Sequence, residues 1–173
     1  MVVSVVFLLL PFCLAFAAFT DLFTMKIPNR ISIILSCSFL IVAPLSGMTV
    51  GAVGLGLLAA IAVFSGCFAL FALNVMGGGD AKLLTASALW FGLNSSLTLF
   101  LISVTLVGGV LTLAILFLRS RSEDIVATGI PIPDSLLVAQ KVPYGIAIAI
   151  AGLLTYPEAP IVQAAMRAVQ RRS

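Results

Sequence analysis

The chain has 173 residues, 62% of them hydrophobic and 9% charged, with a formal net charge of +3 and a mean hydropathy of +1.28. This composition excludes an ordinary soluble domain and defines a polytopic membrane protein. Cationic loops at a membrane surface account for the basic balance, so no nucleic-acid partner is invoked.

A membrane span needs ~20 mainly apolar helical residues, because lipid offers no partner for free backbone N–H and C=O groups. The first apolar run covers residues 2–20 and, after a polar patch at 21–30, the second covers 31–46. A third runs over 50–73, a short fourth over 81–92, a long fifth over 97–118 and a short sixth over 144–156. The pattern predicts an all-α bundle of about six transmembrane helices forming one membrane-embedded domain over residues 1–173. The two short helices are expected to tilt, to re-enter the same face or to thin the bilayer locally.

Basic residues orient the bundle, since short cytoplasmic loops carry the excess of Lys and Arg. Lys26 and Arg30 fall between spans one and two, Lys82 follows span three, and Arg119, Arg121 and Lys141 fall between spans five and six. Six spans put all three regions on one face, which is then cytoplasmic, with the N-terminus outside. Arg167, Arg171 and Arg172 break the pattern. Either residues 157–173 form an amphipathic or flexible tail that folds back on the surface, or one short span is miscounted. Ala15-Phe16-Ala17 looks like a signal-cleavage site, but Met1-Val2-Val3-Ser4 lacks the basic start of a secretory signal, so the first run reads as a retained span.

Several chemistries are excluded by residue type. With no histidine in the chain, Ser-His and Cys-His nucleophilic pairs, His-ligated zinc and an imidazole base are all ruled out. Cys13, Cys37 and Cys67 lie in separate apolar runs with no C-x-x-C pair, and read as small buried hydrophobes. Gly77-Gly78-Gly79 is followed by no Gly-Lys-Ser/Thr and preceded by no Rossmann strand, so nucleotide binding is not expected. The reading calls for no cofactor and no metal.

Six acids remain: Asp21, Asp80, Glu123, Asp124, Asp134 and Glu158. The last four fall in loops or flanks, where they are solvated charges or caps. Glu123 can close a capping box with Ser120, and Asp134 can cap a short helix over 136–139. Asp21 and Asp80 differ, because each ends a long apolar run on the same expected face, and carboxylates at membrane depth are costly unless they serve chemistry or transport. If packing brings them together, the two cannot both ionise cheaply; their protons leave in coupled steps and the pair can hold one proton between them. Such a pair suits amide hydrolysis, one member taking a proton from water while the other donates to the carbonyl. The glycines before Asp80 would let the backbone leave helical geometry and let an extended substrate approach. The plainer alternative is a loop with glycine turns beside a charged interface residue.

Four elements in order, Asp21 with Ile27-Pro28-Asn29, then Gly77-Gly78-Gly79-Asp80 with Ala81-Lys82-Leu83, then Val142-Pro143-Tyr144-Gly145, resemble the type IV prepilin peptidases, G-x-G-D membrane aspartic proteases. The resemblance implies a bundle of transmembrane helices with its active site at the cytoplasmic boundary of the inner membrane. It places Asp21 and Asp80 at the two catalytic positions, with Gly77, Gly79, Lys82, Pro28, Asn29, Pro143, Tyr144 and Gly145 as supporting residues. Its substrates are membrane-anchored prepilins and pseudopilins, cut just before their hydrophobic helix to remove a basic leader. Longer members carry a cytoplasmic segment with paired cysteines and also methylate the new N-terminus. This chain looks like the short, peptidase-only form that is similar to those serving tight-adherence (Flp) pili.

Among the supporting residues, Lys82 reads either as a group that holds the Asp80 carboxylate ionised or steers substrate, or as ordinary membrane anchoring. Asn29 is expected to cap span two, with Pro28 fixing its start. Gly47, Gly51, Gly108 and Gly109 read as helix-packing positions. Two rival functions carry paired or boundary acids as well: a proton-coupled transporter, which would show internal repeats and midplane helix breaks, and a non-catalytic membrane component of a pilus or secretion machine. A presenilin-like protease would call for a Pro-Ala-Leu element, which the chain lacks.

Overall fold

The computed structural model describes residues 2–121 and 142–170. They form α1 (Val2–Thr24), α2 (Asn29–Leu45), α3 (Val50–Ala72), α4 (Gly78–Phe91), α5 (Ser95–Ser120), α6 (Tyr144–Thr155), a 3-10 turn (Tyr156–Glu158) and α7 (Pro160–Gln170), with no strand among the described residues. Each of the six apolar runs becomes one helix, α1 to α6, and α7 falls in the tail. The all-α polytopic bundle expected from hydropathy is what the chain adopts.

Local chemistry sets the helix ends. Thr49 caps α3 by accepting the Ala52 N–H at 3.2 Å, and Asn94 caps α5 by accepting the Ser96 N–H at 2.7 Å. α2 ends in a Schellman closure in which the Gly47 N–H reaches the Pro44 carbonyl and the Met48 N–H reaches that of Ala43. Gly47 takes φ +79° there, a left-handed conformation that a side chain resists. α3 closes the same way with Asn74 at φ 58°, the Val75 N–H bonding the Leu70 carbonyl at 2.9 Å. α1 closes with a single bond from the Met25 N–H to the Asp21 carbonyl, 2.9 Å, and Met25 sits at φ 52°.

The short fourth helix lies at the centre of the bundle. Ala81, Leu83, Leu84 and the whole stretch from Ala86 to Phe91 are buried, packed against α2, α3 and α6. At 14 residues, α4 spans about 21 Å by helical rise, less than a ~30 Å hydrocarbon core. Because protein surrounds it, the bilayer need not thin to receive it. Trp90 locks it in place: its Nε1–H donates to the Leu35 carbonyl of α2 at 3.1 Å, and its ring lies 6.0 Å from that of Phe39. A Cβ on Gly56 of α3 would come within 2.8 Å of the Leu89 carbonyl, so α3 and α4 approach at backbone distance.

α6 forms the second seam, packing against α1 and α5. Gly152 faces Leu14 of α1, and Gly108 of α5 faces the Tyr144 ring, which a Cβ on Gly108 would meet at 2.9 Å. Gly108 is thus the packing glycine the sequence suggested. Gly51 and Gly109 are not, since a Cβ on either meets nothing within 4 Å, and Gly47 serves to end α2. Beyond α6, the Tyr156 hydroxyl donates to the Val6 carbonyl of α1. In α7, Ile161, Val162 and Ala165 are buried while Met166 and Val169 are exposed.

Outward faces of α1, α3 and α5 present Phe12, Leu58, Phe68, Leu106 and Leu113. Apolar surfaces of this extent mark contact with a membrane or with another protein. Helical segments long and apolar enough to cross a membrane are Val6–Thr24, Val50–Ala72, Ser95–Ser120 and, counting α6 through most of α7 as one, Tyr144–Arg167. Ser120 ends α5 and donates back to the Phe117 carbonyl. The other half of its expected capping box, Glu123, lies outside the described residues, as do Asp124, Asp134, Lys141, Arg171 and Arg172.

Candidate active site

Asp21 lies one turn before the end of α1, and Asp80 is the third residue of α4. Both line one cavity of about 630 Å³, formed where the end of α1, the start of α2, the loop leaving α3, and the starts of α4 and α6 converge. The loops between spans one and two and between three and four, and the residues opening span six, therefore share one end of the bundle. That is the arrangement the charge pattern called for.

The two carboxyls are held differently. Asp21 is 5% exposed, and its Oδ2 accepts the Gly145 N–H of α6 at 2.7 Å. Asp80 is half-buried and folds back over its own helix start, where a Cβ on Gly77 would lie 2.8 Å from its Oδ2. It occupies the first turn of α4, where the helix dipole favours an anion.

Space explains the glycines better than backbone freedom does. Gly77 leaves helical geometry in an extended conformation just before α4, Gly78 and Gly79 begin the helix, and none of the three takes a positive φ, so no turn here requires glycine. Each instead lets a neighbour come close. Gly77 admits the Asp80 carboxyl, Gly78 faces the Phe71 ring at 3.3 Å, and Gly79 faces the Ile27 side chain at 3.2 Å, all measured from an added Cβ. The positive-φ positions around the cavity are Met25 and Asn74, at the turns leaving α1 and α3. Asn74 carried a readable signal, an Asn just after an apolar helical run. Met25 carried none.

Ile27 is the site residue whose role the sequence did not disclose. Its side chain is wedged between Gly79 of α4 and Gly145 of α6, and a Cβ on Gly145 would meet its Cδ1 at 2.9 Å. One apolar side chain of the α1–α2 loop thus separates and spaces the two elements that carry Asp80 and contact Asp21.

Asn29 does not cap α2. Pro28 occupies the cap position, at φ −60° and ψ 132°, with no side-chain bond, and Asn29 is the first helical residue. Its Oδ1 accepts from Lys82 Nζ at 3.0 Å, tying the start of α2 to α4 beside the cavity. Pro143 caps α6, and Tyr144 lines the cavity with its hydroxyl 3.3 Å from Thr112 Oγ1 of α5. Among the described residues no three His, Cys, Asp or Glu side chains gather as a metal site. The three cysteines are free and sit on α1, α2 and α3, with Cys67 buried, Cys13 partly buried and Cys37 exposed.

A helical bundle with several membrane-length apolar helices, closing a cavity lined by two carboxyls from different helices, has the architecture of an integral membrane protein. Residues 8–113 match the model of the type IV leader peptidase family, a stretch that carries both Asp21 and Asp80. The chain belongs to that family and is a peptidase. No curated protein and no solved structure matches it.

Proposed function

We propose that the protein is an aspartic endopeptidase that removes the basic leader from type IV prepilins, of the Flp kind, at the cytoplasmic boundary of the inner membrane. The observation that carries this reading is the convergence of Asp21 and Asp80, from separate helices, on one cavity. One carboxylate takes a proton from water as the water oxygen bonds to the scissile carbonyl carbon, and the other, protonated, donates to the carbonyl oxygen. The tetrahedral species then collapses: the C–N bond breaks, the proton taken from water passes to the leaving amine, and a hydroxyl proton returns to the second carboxyl. The pair ends as it began, and no other co-reactant is consumed. The reaction proposed is cleavage alone, without methylation of the new N-terminus.

The depth of the site suits an anchored substrate. A prepilin's apolar helix stays among the lipid-facing helices while its leader junction, locally unwound, enters the cavity from the end where Lys26 and Asn74 lie. The test is co-expression of a prepilin with wild type, Asp21→Ala and Asp80→Ala, scoring the mature and precursor bands alongside the membrane level of each variant. Each substitution is expected to lower processing by at least about 10²-fold, the scale of general acid–base catalysis. Intact processing by either variant would remove the dyad.

A further inference from the structure

The residues that open α6 lie beyond the stretch matched by the family, yet one of them bonds directly to a site carboxyl. Gly145 is the second residue of α6, so its N–H is one of the amides for which a helix start has no internal acceptor. It donates to Asp21 Oδ2 at 2.7 Å in buried surroundings, across a sequence separation of 124. Of its neighbours, Pro143 has no N–H, and the Ile146 N–H is directed to the Pro143 carbonyl at 3.3 Å.

Sterics point the same way independently. A Cβ at position 145 would lie 2.8 Å from Asp21 Oδ2 and 3.0 Å from Asp21 Cβ. The first approach is closer than a real Cβ shows and the second is tight, so a side chain here would push the Asp21 carboxyl away from the amide. An N–H can only donate, so the Oδ2 lone pair facing it carries no proton. A carboxyl accepts better through its C=O oxygen than through its O–H oxygen, so this bond favours Oδ1 as the oxygen that carries a proton.

We propose that Gly145 is the positioning residue for Asp21: the start of α6 pins Oδ2, and the proton that moves during hydrolysis arrives at and leaves from Oδ1. The inference rests on the reading of Asp21 and Asp80 as the catalytic pair. It assigns each oxygen of Asp21 a separate job and makes the orientation of α6 a condition of turnover.

The experiment uses the purified full chain in lipid vesicles, with a synthetic peptide carrying a basic leader followed by an apolar helix. Gly145→Ala is expected to lower kcat by about 10²-fold with KM within about twofold, as for a reacting group displaced by about 1 Å. A packing role alone would concern Ile27, whose Cδ1 is the other atom crowded by a new Cβ. Ile27→Val removes that methyl. In the double variant, compared with Ile27→Val alone, thermal stability is expected to recover while kcat stays low; recovery of kcat, or a loss expressed only in KM, overturns the proposal. A second measurement leaves position 145 untouched: with glycine labelled in 15N, the Gly145 amide proton is expected downfield in wild type and to lose that shift in Asp21→Ala. An unchanged resonance also overturns it. Should Asp21→Ala or Asp80→Ala still cleave, the catalytic reading fails; should both be inactive while Gly145→Ala turns over normally, only this inference does.

Discussion

At the residue scale, the site depends on side chains that are missing as much as on those present. Gly77, Gly79 and Gly145 each leave a space that a carboxyl or Ile27 fills. The sequence made Asp21 and Asp80 legible, because an acid at the end of a long apolar run is expensive and calls for a reason. It could not make the Gly145 bond legible, since nothing in a local pattern links positions 21 and 145. Nor could it reveal that Asn29, expected to cap α2, instead bonds Lys82: capping and that bond use the same amide oxygen, and only the placement of α4 decides between them. The clearest prediction at this scale is Gly77→Ala. Its new methyl would meet Asp80 Oδ2 at 2.8 Å, so the carboxyl must rotate away. Cleavage is expected to fall about tenfold or more, with membrane abundance near wild type because the clash is with one mobile side chain. A variant that cleaves normally would show that the observed Asp80 rotamer is irrelevant to turnover.

At the element scale, hydropathy fixed where the helices run but not what surrounds them. The two short helices looked anomalous against the thickness of a bilayer, and the tilt, re-entry or thinning invoked for them assumed lipid as the neighbour. The burial of α4 from Ala86 to Phe91 removes that assumption. Small residues posed a similar ambiguity, because a glycine in an apolar run looks the same whether it packs, ends a helix or faces lipid. Gly108 and Gly109 illustrate this as adjacent residues with opposite surroundings. Gly108→Ala would drive a methyl to within 2.9 Å of the Tyr144 ring and 3.7 Å of Ala147 Cβ, whereas Gly109→Ala meets open space. Thermal unfolding in detergent is expected to show Gly108→Ala destabilised by about 1–3 kcal/mol, the usual cost of overpacking. Gly109→Ala should unfold within about 0.5 kcal/mol of wild type, as for substitutions away from packed features. Equal effects at the two positions would refute the α5–α6 seam described here.

At the scale of the whole molecule, the end of the bundle chosen by Lys26, Arg30 and Lys82 is also the end at which the cavity opens between α1, α2, α4 and α6. The basic residues are part of that end of the bundle: Lys26 lines the cavity and Lys82 bonds Asn29 at its edge. Helices α2, α3 and α6 hold α4 in the interior, Ile27 spaces α4 from α6, and α6 in turn bonds to α1, so the two carboxyl-bearing helices are joined through the rest of the bundle. In the proposed reaction, this assembly serves to exchange protons between two carboxyls and a water molecule. The most direct measurement is cleavage of a leader-bearing peptide by the purified protein in lipid vesicles, comparing wild type with Asp21→Asn and Asp80→Asn, the amide preserving size while losing the ionisable proton. A mature peptide, identified by its mass, is expected from wild type and none above background from either amide variant, with all three proteins unfolding at similar temperatures. Cleavage by either amide variant at the wild-type rate would contradict the proposed reaction.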